Sequence, residues 1–455
     1  MKLFAFSALS VLVLFLALGT FVARKIKGTS DYAVAGRKAG ITGVTGVIMG
    51  ALVGGASTVG TAQMAYQYGL SAWWFTLGGG IGCLILGIGF AATLRNSGVV
   101  TIPEFLKRNY GSGVSMVSMI ASSLGTYISV VAQFLSGVAL LQTIFPLSSI
   151  QASMGIACLV LGFLYLGGLK SYSVIGKAKI AMLFLALGAS VLLGLGKGMT
   201  PLALYHTLSV TPFFDLFGTG VAKGFGAFFS MIVGVFCTQI YIQGIFAASS
   251  PATARKGALL AGILIPPLGL MGVYVGLFMR TTGIAISPSQ ALPMFIRLYF
   301  PPLVGGFFWA GILITVIGAA AGLSFGIATN IVQDLFKFLP FFSTKMDERR
   351  TLLASRVAVL VIVVSAAYIG VLFSGDMILQ WSYLSMSLRG AGTFFPLIVA
   401  LLFPSRLSPF WALGAAVAGL AAVLLAPAII PSVQPLFVGL IFSAGFTLFG
   451  LLYRR

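Results

Sequence analysis

The chain has 455 residues, 59% hydrophobic and only 7% charged, with a mean hydropathy of +1.09. A soluble domain is about 25% charged, so this composition excludes a soluble enzyme and leaves little chain for an extramembrane domain. A formal net charge of +20 would suggest nucleic acid for a soluble protein; here it reads as basic loops facing anionic lipid, with no nucleic-acid partner.

The apolar runs pass well beyond ten residues without alternating, which argues against a β-barrel and for an all-α integral membrane protein. We read thirteen transmembrane spans, at 3–23, 41–68, 71–94, 112–145, 149–168, 175–196, 220–246, 255–280, 303–332, 352–374, 377–402, 408–428 and 432–452. The first lies in an N-terminal unit, 1–30, and is a retained span, because it is long and lacks a small-x-small cleavage site before RKIK. Lys and Arg gather in alternate loops, around 24–38, 95–108, 255–256 and 337–356. By the positive-inside rule this puts the N-terminus outside and the C-terminus in the cytoplasm of a multi-pass cell-membrane protein. Cys83, Cys158 and Cys237 all fall in apolar runs and read as small core residues, not disulfides.

The second span, ITGVTGVIMGALVGGASTVGTAQMAYQY at 41–68, carries a Gly or small polar residue at nearly every turn. Each glycine weakens a helix by roughly 0.5–1 kcal/mol. A loosened helix survives in a membrane only against protein or a cavity, since bare carbonyls cannot face hydrocarbon. Close helix packing also selects small residues, but secondary transporters build solute sites from such interrupted helices. In the loop at 95–111, Thr101, Pro103 and Glu104 form a helix-start signal. The span GTGVAKGFGAFFSMIVGVFCTQIYIQG, at 218–244, is again interrupted, at Gly226, Gly234 and Gly244. Five spans at 41–196 can therefore correspond to five at 220–402. The odd number makes the two sets inverted, a five-plus-five inverted-repeat plan followed by two C-terminal spans at 408–455.

Several segments carry a resemblance in order: DYAVAGR at 31–37, GGASTVGTAQMAYQYG at 54–69, TIPEFLKRNYG at 101–111, YLGGLKSYS at 165–173, QIYIQGIFAASSPATARKG at 239–257 and ATNIVQDLFK at 328–337. Together they resemble the sodium:solute symporter family, whose members include proline, pantothenate and sugar carriers. The resemblance implies an alternating-access carrier of a small metabolite, usually coupled to sodium. It also implies a second-sodium site made of carbonyls near Gly50 and Val53 and a Ser-Thr pair. Counting back from the aspartate of IVQD puts that pair on Gly318 and Ala319, so the hydroxyls are lost. A one-turn slip would recruit Ser324 instead. The family's Thr-Asp pair on the fifth core helix falls on Ile175 and Gly176.

In a chain this poor in charge, intramembrane cations are functional candidates. Lys177 and Lys179 open the fifth core helix; snorkelling to the interface is the ordinary reading. Lys179 shares a face with Gly176, and its ammonium could stand where a sodium ion would otherwise sit. This favours proton coupling, or no sodium coupling, over sodium coupling. Arg389, in the tenth core helix, must pair with protein or with solute. A bidentate contact to a carboxylate would suit it, pointing to a monocarboxylate or other small anion as solute. Gly50, Val53, Gly54, Gln63, Tyr66, Tyr127, Gln133, Gln239 and Gln243 complete the candidate lining of a central cavity. Buried amides need partners, either each other or a ligand.

The leading expectation is thus a secondary active transporter. Its partners are a small organic solute, protons or sodium, and membrane lipid, in a monomer. The alternatives are a sodium-coupled symporter of amino-acid, sugar or vitamin type and a transporter-derived sensor. One histidine and no ligand-spaced cluster argue against an enzyme, a cofactor or a metal centre.

Overall fold

The computed structural model describes residues 2–23, 37–99, 101–335, 348–430 and 433–453, with the side chains at 165–178, at 333–335 and near a few helix ends outside that description. Most of DYAVAGR, all of Lys337 and the side chains of Ile175, Lys177 and Asp334 therefore lie outside the described residues.

The described chain is helical throughout, apart from one parallel bridge between Ala39 and Ala248. The first part comprises α1 (Lys2–Ala23), α2 (Ile41–Leu52), α3 (Thr61–Tyr68), α4 (Trp74–Ile85), α5 (Ala91–Asn96), α6 (Ile102–Tyr110), α7 (Ser112–Ile144) and α8 (Ser149–Gly196). Two short helices follow, α9 (Pro201–Thr207) and α10 (Val210–Phe213). The second part comprises α11 (Val221–Cys237), α12 (Gln239–Phe246), α13 (Pro251–Thr281), α14 (Ala291–Tyr299), α15 (Pro302–Thr329), α16 (Glu348–Leu372), α17 (Ile378–Ala391) and α18 (Phe394–Leu402). The last pair, α19 (Pro409–Ile429) and α20 (Pro435–Leu452), pack against each other.

Helix α7 is the centre of the bundle. It packs on α15, α16 and α17, and its second half is almost wholly buried. The outer helices α16, α19 and α20 show the opposite pattern: Tyr368 is 65% exposed, Phe410 74% and Leu452 77%. Large apolar side chains in such numbers on the outside belong to a lipid-facing surface, and the protein is an all-α, multi-spanning membrane protein. Cys83 and Cys237 are core residues, but Cys158 is exposed on the outer face.

The expected start signal at Thr101 is a true N-cap. Its hydroxyl accepts from Glu104 N at 3.0 Å, Pro103 stands in the first turn, and α6 ends at Gly111 in a left-handed conformation. The opposite faces of this short helix are apolar and charged, with Glu104 paired to Arg108 at 2.7 Å, as suits a helix lying along the membrane surface.

The expectation of thirteen transmembrane helices is corrected. Among the described residues eight helices are long and apolar enough to cross a membrane, or up to ten if each of two bent pairs counts as one span. Those pairs are Val221–Cys237 with Gln239–Phe246, bent by 47°, and Ile378–Ala391 with Phe394–Leu402, bent by 50°. Apolar runs in sequence overcount spans because a run says nothing of where the backbone bends. The run at 41–68 breaks after the twelve residues of α2, and 149–196, read as two spans, is helical without interruption.

Glycine separates two kinds of position in this fold. Gly69 ends α3 at φ +61°, and a Cβ there would stand 2.0 Å from the Phe213 carbonyl oxygen. Gly445, inside α20, has nothing within 4 Å of its would-be Cβ. Gly69→Ala is expected to destabilise by about 1–3 kcal/mol, while Gly445→Ala is neutral or slightly stabilising. Melting temperatures of the two variants in one detergent would check the contrast.

Candidate solute site

The first break follows from the loss of two helical hydrogen bonds. Helix α2 ends at Leu52, and Val53 turns extended at φ −88°, ψ 93°. Gly54 N, which a continuing helix would aim at the Gly50 carbonyl, bonds Ser57 Oγ at 3.0 Å instead. Gly55 N, which would serve Ala51, bonds Gln133 Oε1 of α7 at 2.8 Å. The chain then re-enters a helix through a π turn at Ala56–Gly60. Thr58 Oγ1 donates to the Gly54 carbonyl at 2.8 Å. Gly55 lies so close to α7 that a Cβ would meet Ser136 at 2.4 Å.

The Gly50 carbonyl released by this break is met by Lys179. Its Nζ donates to Gly50 O at 2.6 Å, and the residue is 1% exposed. A cation at this place also faces the negative end of the α2 dipole.

The second break is at Thr238, between α11 and α12 (φ −91°, ψ 110°). Here the side chain replaces the peptide: Thr238 Oγ1 donates to the Gly234 carbonyl at 2.7 Å. Arg389 Nη1 then donates to Thr238 Oγ1 at 3.0 Å. Its Nη2 reaches Ser129 Oγ (2.7 Å), Ser385 Oγ (2.9 Å) and the Gly125 carbonyl (3.2 Å). Gly125 must be glycine for this approach, since a Cβ would stand 2.5 Å from Arg389 Cγ. Arg389 is 1% exposed, and its Nε–H has no hydrogen-bond partner among the described residues.

Both breaks are connected to the same turn of α7, the first directly and the second through Arg389. Gln133 holds the first and Ser129 belongs to the Arg389 cage at the second. Residues four apart are about 6 Å apart along a helix axis. The sequence reading named Gln133 and Arg389 but missed Ser129, Thr238 and Ser385. A signal was present: Ser118, Ser122, Gly125, Ser129 and Ser136 form one buried small-residue stripe at helical spacing.

Other expected residues are engaged elsewhere. Gln63 pins α3 to the start of α17, donating to Asp376 O and accepting from Ile378 N, both at 3.0 Å. Gln239 Oε1 accepts from Ile102 N of the surface helix at 2.9 Å. Tyr66 is buried, with the Arg280 guanidinium 5.4 Å from its ring centroid. Tyr127 is partly buried against the apolar core, and Gln243 is half-buried on α12.

A sodium ion needs several hard oxygens. Around Gly50 the described residues do not fit one. The Gly50 carbonyl is held by an ammonium, Gly318 offers no side chain, and Ala319 brings a methyl to 3.3 Å from the would-be Cβ of Gly54. Ser324 Oγ is buried without a hydrogen-bond partner.

A family model described as "Sodium:solute symporter family" matches residues 32–419. The chain belongs to the sodium:solute symporter family. Members of this family are secondary carriers of small organic solutes, and this chain is a membrane transporter, not an enzyme. It is 25% identical over 425 residues to "Sodium/proline symporter 2" of Staphylococcus saprophyticus, covering 87% of this chain and 80% of that protein. It is 24% identical over 432 residues to "Osmoregulated proline transporter OpuE" of Bacillus subtilis, covering 90% and 86%. Among solved structures, a substrate-bound, outward-open Na+-coupled sialic acid symporter superposes with a TM-score of 0.76, at 13% identity, over 99% of this chain and 96% of that one. A nucleobase-cation-symport-1 family transporter, closed around bromovinylhydantoin, gives 0.59 at 13% identity over 91% and 93%. Those two likenesses concern the fold alone.

Thr238 links a cation to a released carbonyl, so its hydroxyl is the sensitive atom at the second break. Thr238→Val keeps the shape but strands the Gly234 carbonyl and an Arg389 N–H; it is expected to cost about 1–3 kcal/mol. Thr238→Ser, which keeps the oxygen, should retain most of the stability. Thermal unfolding of the purified variants distinguishes the two.

Proposed function

We propose that this symporter-family chain takes up a small amino-acid-like or sugar solute along a sodium gradient, by alternating access about its two broken helices. The observation that carries the reading is that both breaks are tied to one turn of α7, the first by Gln133 and the second by Arg389 through Ser129. Polar backbone at membrane depth is tolerated where it lines a site. Family membership and relatives named as sodium/proline symporters favour a sodium gradient and a solute of that type.

The anion and proton reading is set aside. Its geometric motive was a free guanidinium on Arg389, but both terminal nitrogens already donate to protein oxygens. A bidentate carboxylate clamp would have to displace them. What remains among the described residues is the Nε–H and the second N–H of Nη1, suited to single carbonyl or hydroxyl oxygens of a solute. In this reading Gly54, Gln133 and Arg389 lie nearest the solute. Val53, Tyr66, Tyr127 and Gln243 form its outer surroundings, while Gln63 and Gln239 hold the helices that flank it. The stretches 41–196 and 220–402 act as two halves, each opened by a broken helix.

The membrane orientation belongs to the same proposal. Arg37 donates to Gly98 O and Arg95 to Ala248 O, both at 2.5 Å, beside the bridge that joins Ala39 to Ala248. With Lys107, Arg108, Arg255 and Lys256 nearby in the chain, this end is the basic one and is assigned to the cytoplasm.

Uptake into proteoliposomes with separately imposed sodium and proton gradients tests the reading, using panels of amino acids, sugars and small carboxylates. An inward sodium gradient is expected to drive accumulation of an amino acid or a sugar, and a proton gradient alone to drive none. Accumulation of a monocarboxylate under a proton gradient, without sodium, would overturn it.

A further inference from the structure

We propose that Lys179 is a tethered cation that closes the first helix break, so that no diffusible cation binds at the Gly50 carbonyl. A cation that drives uptake must then bind at other oxygens.

The break diverts the N–H groups of Gly54 and Gly55 to Ser57 and Gln133, which strips the Gly50 and Ala51 carbonyls of their helical donors. Buried carbonyls at the C-terminal end of a half-helix carry the negative pole of its dipole, and they attract positive charge. The group that meets them is Lys179 Nζ, 2.6 Å from Gly50 O and nearly sealed from solvent. An ammonium in an apolar interior costs several kcal/mol unless it is compensated. That makes Lys179 costly as a space-filler and sensible as the partner of a released carbonyl.

The surroundings support a built-in ion over a bound one. Helix α15 passes the break with Ala319, whose side chain brings no oxygen. Among the described residues the acidic side chains are Glu104, Asp215 and Asp376, and their bonds are to Arg108, Phe217 N and Trp381. No carboxylate is thereby placed at the break to strengthen a site for a free metal cation.

The second break has the same design by a longer route. Arg389 reaches the released Gly234 carbonyl through the Thr238 hydroxyl. Lys179 lies on α8, at the end of 41–196, and Arg389 on α17, near the end of 220–402. Each broken helix is thus met by a cation from the closing part of its own half.

Lys179 is a positioning residue in this account, acting on the backbone of the break. The test needs no solute, so it stands apart from the uptake experiment. Hydrogen exchange of the amides at 50–58 is measured by mass spectrometry on the full-length protein in lipid nanodiscs. In the wild type, exchange is expected to be equal in sodium chloride and choline chloride of the same ionic strength. Lys179→Met, similar in length but neutral, should raise exchange at least about tenfold as the break opens more often. Lys179→Ala should do the same, and millimolar methylammonium should restore part of its protection. Sodium-dependent protection of the wild type at 50–58 would overturn the proposal, even if neither variant folds. A Lys179→Met protein that exchanges like the wild type would overturn it too.

Discussion

A peptide group released from a helix inside a membrane has no water to turn to. Leaving one such group unsatisfied costs about 1–3 kcal/mol, and this chain releases several at two places. The rest of the site is organised by the answer to that constraint. At the first break the N–H groups go to Ser57 and Gln133 and a carbonyl goes to Lys179. At the second a threonine hydroxyl substitutes for the missing peptide donor and is itself backed by Arg389. Each break is therefore defined as much by partners from other helices as by its own residues.

The constraint also works in reverse. A lysine and an arginine, each 1% exposed, would be strongly unfavourable in an apolar bundle with no compensation. The released carbonyls and the serine stripe of α7 supply it. Break and cation thus stabilise one another, and neither would persist alone. Such pairs suit a carrier. Their bonds are made between separate helices, so a relative movement of helices can exchange partners without unfolding any one of them.

Much of this was legible in the chain, for identifiable reasons. The density of glycine at 41–68 marks a helix that cannot stay regular, and intramembrane Lys179 and Arg389 mark places where charge must be answered. The count of thirteen spans failed because hydropathy measures apolar run length and is blind to bends such as those at Val53 and Thr238. The role of Thr238 was hidden because a threonine in an apolar run looks like any other buried hydroxyl until its backbone is seen to break. Ser129 and Ser385 were hidden for another reason. Their importance comes from meeting across α7 and α17, 2.7 Å apart, which no local pattern encodes. Arg389 was noticed correctly as a buried charge, but its partners were sought in a ligand when the protein supplies most of them.

The occupation of Arg389 bears on what kind of solute the site would favour. A buried guanidinium with free terminal nitrogens would strongly prefer a carboxylate, whatever else the solute carried. With those nitrogens bound to Thr238, Ser129, Ser385 and Gly125, a carboxylate gains a bidentate contact only by displacing oxygens the protein already supplies, and the cost of breaking those bonds is set against whatever attraction the charge retains.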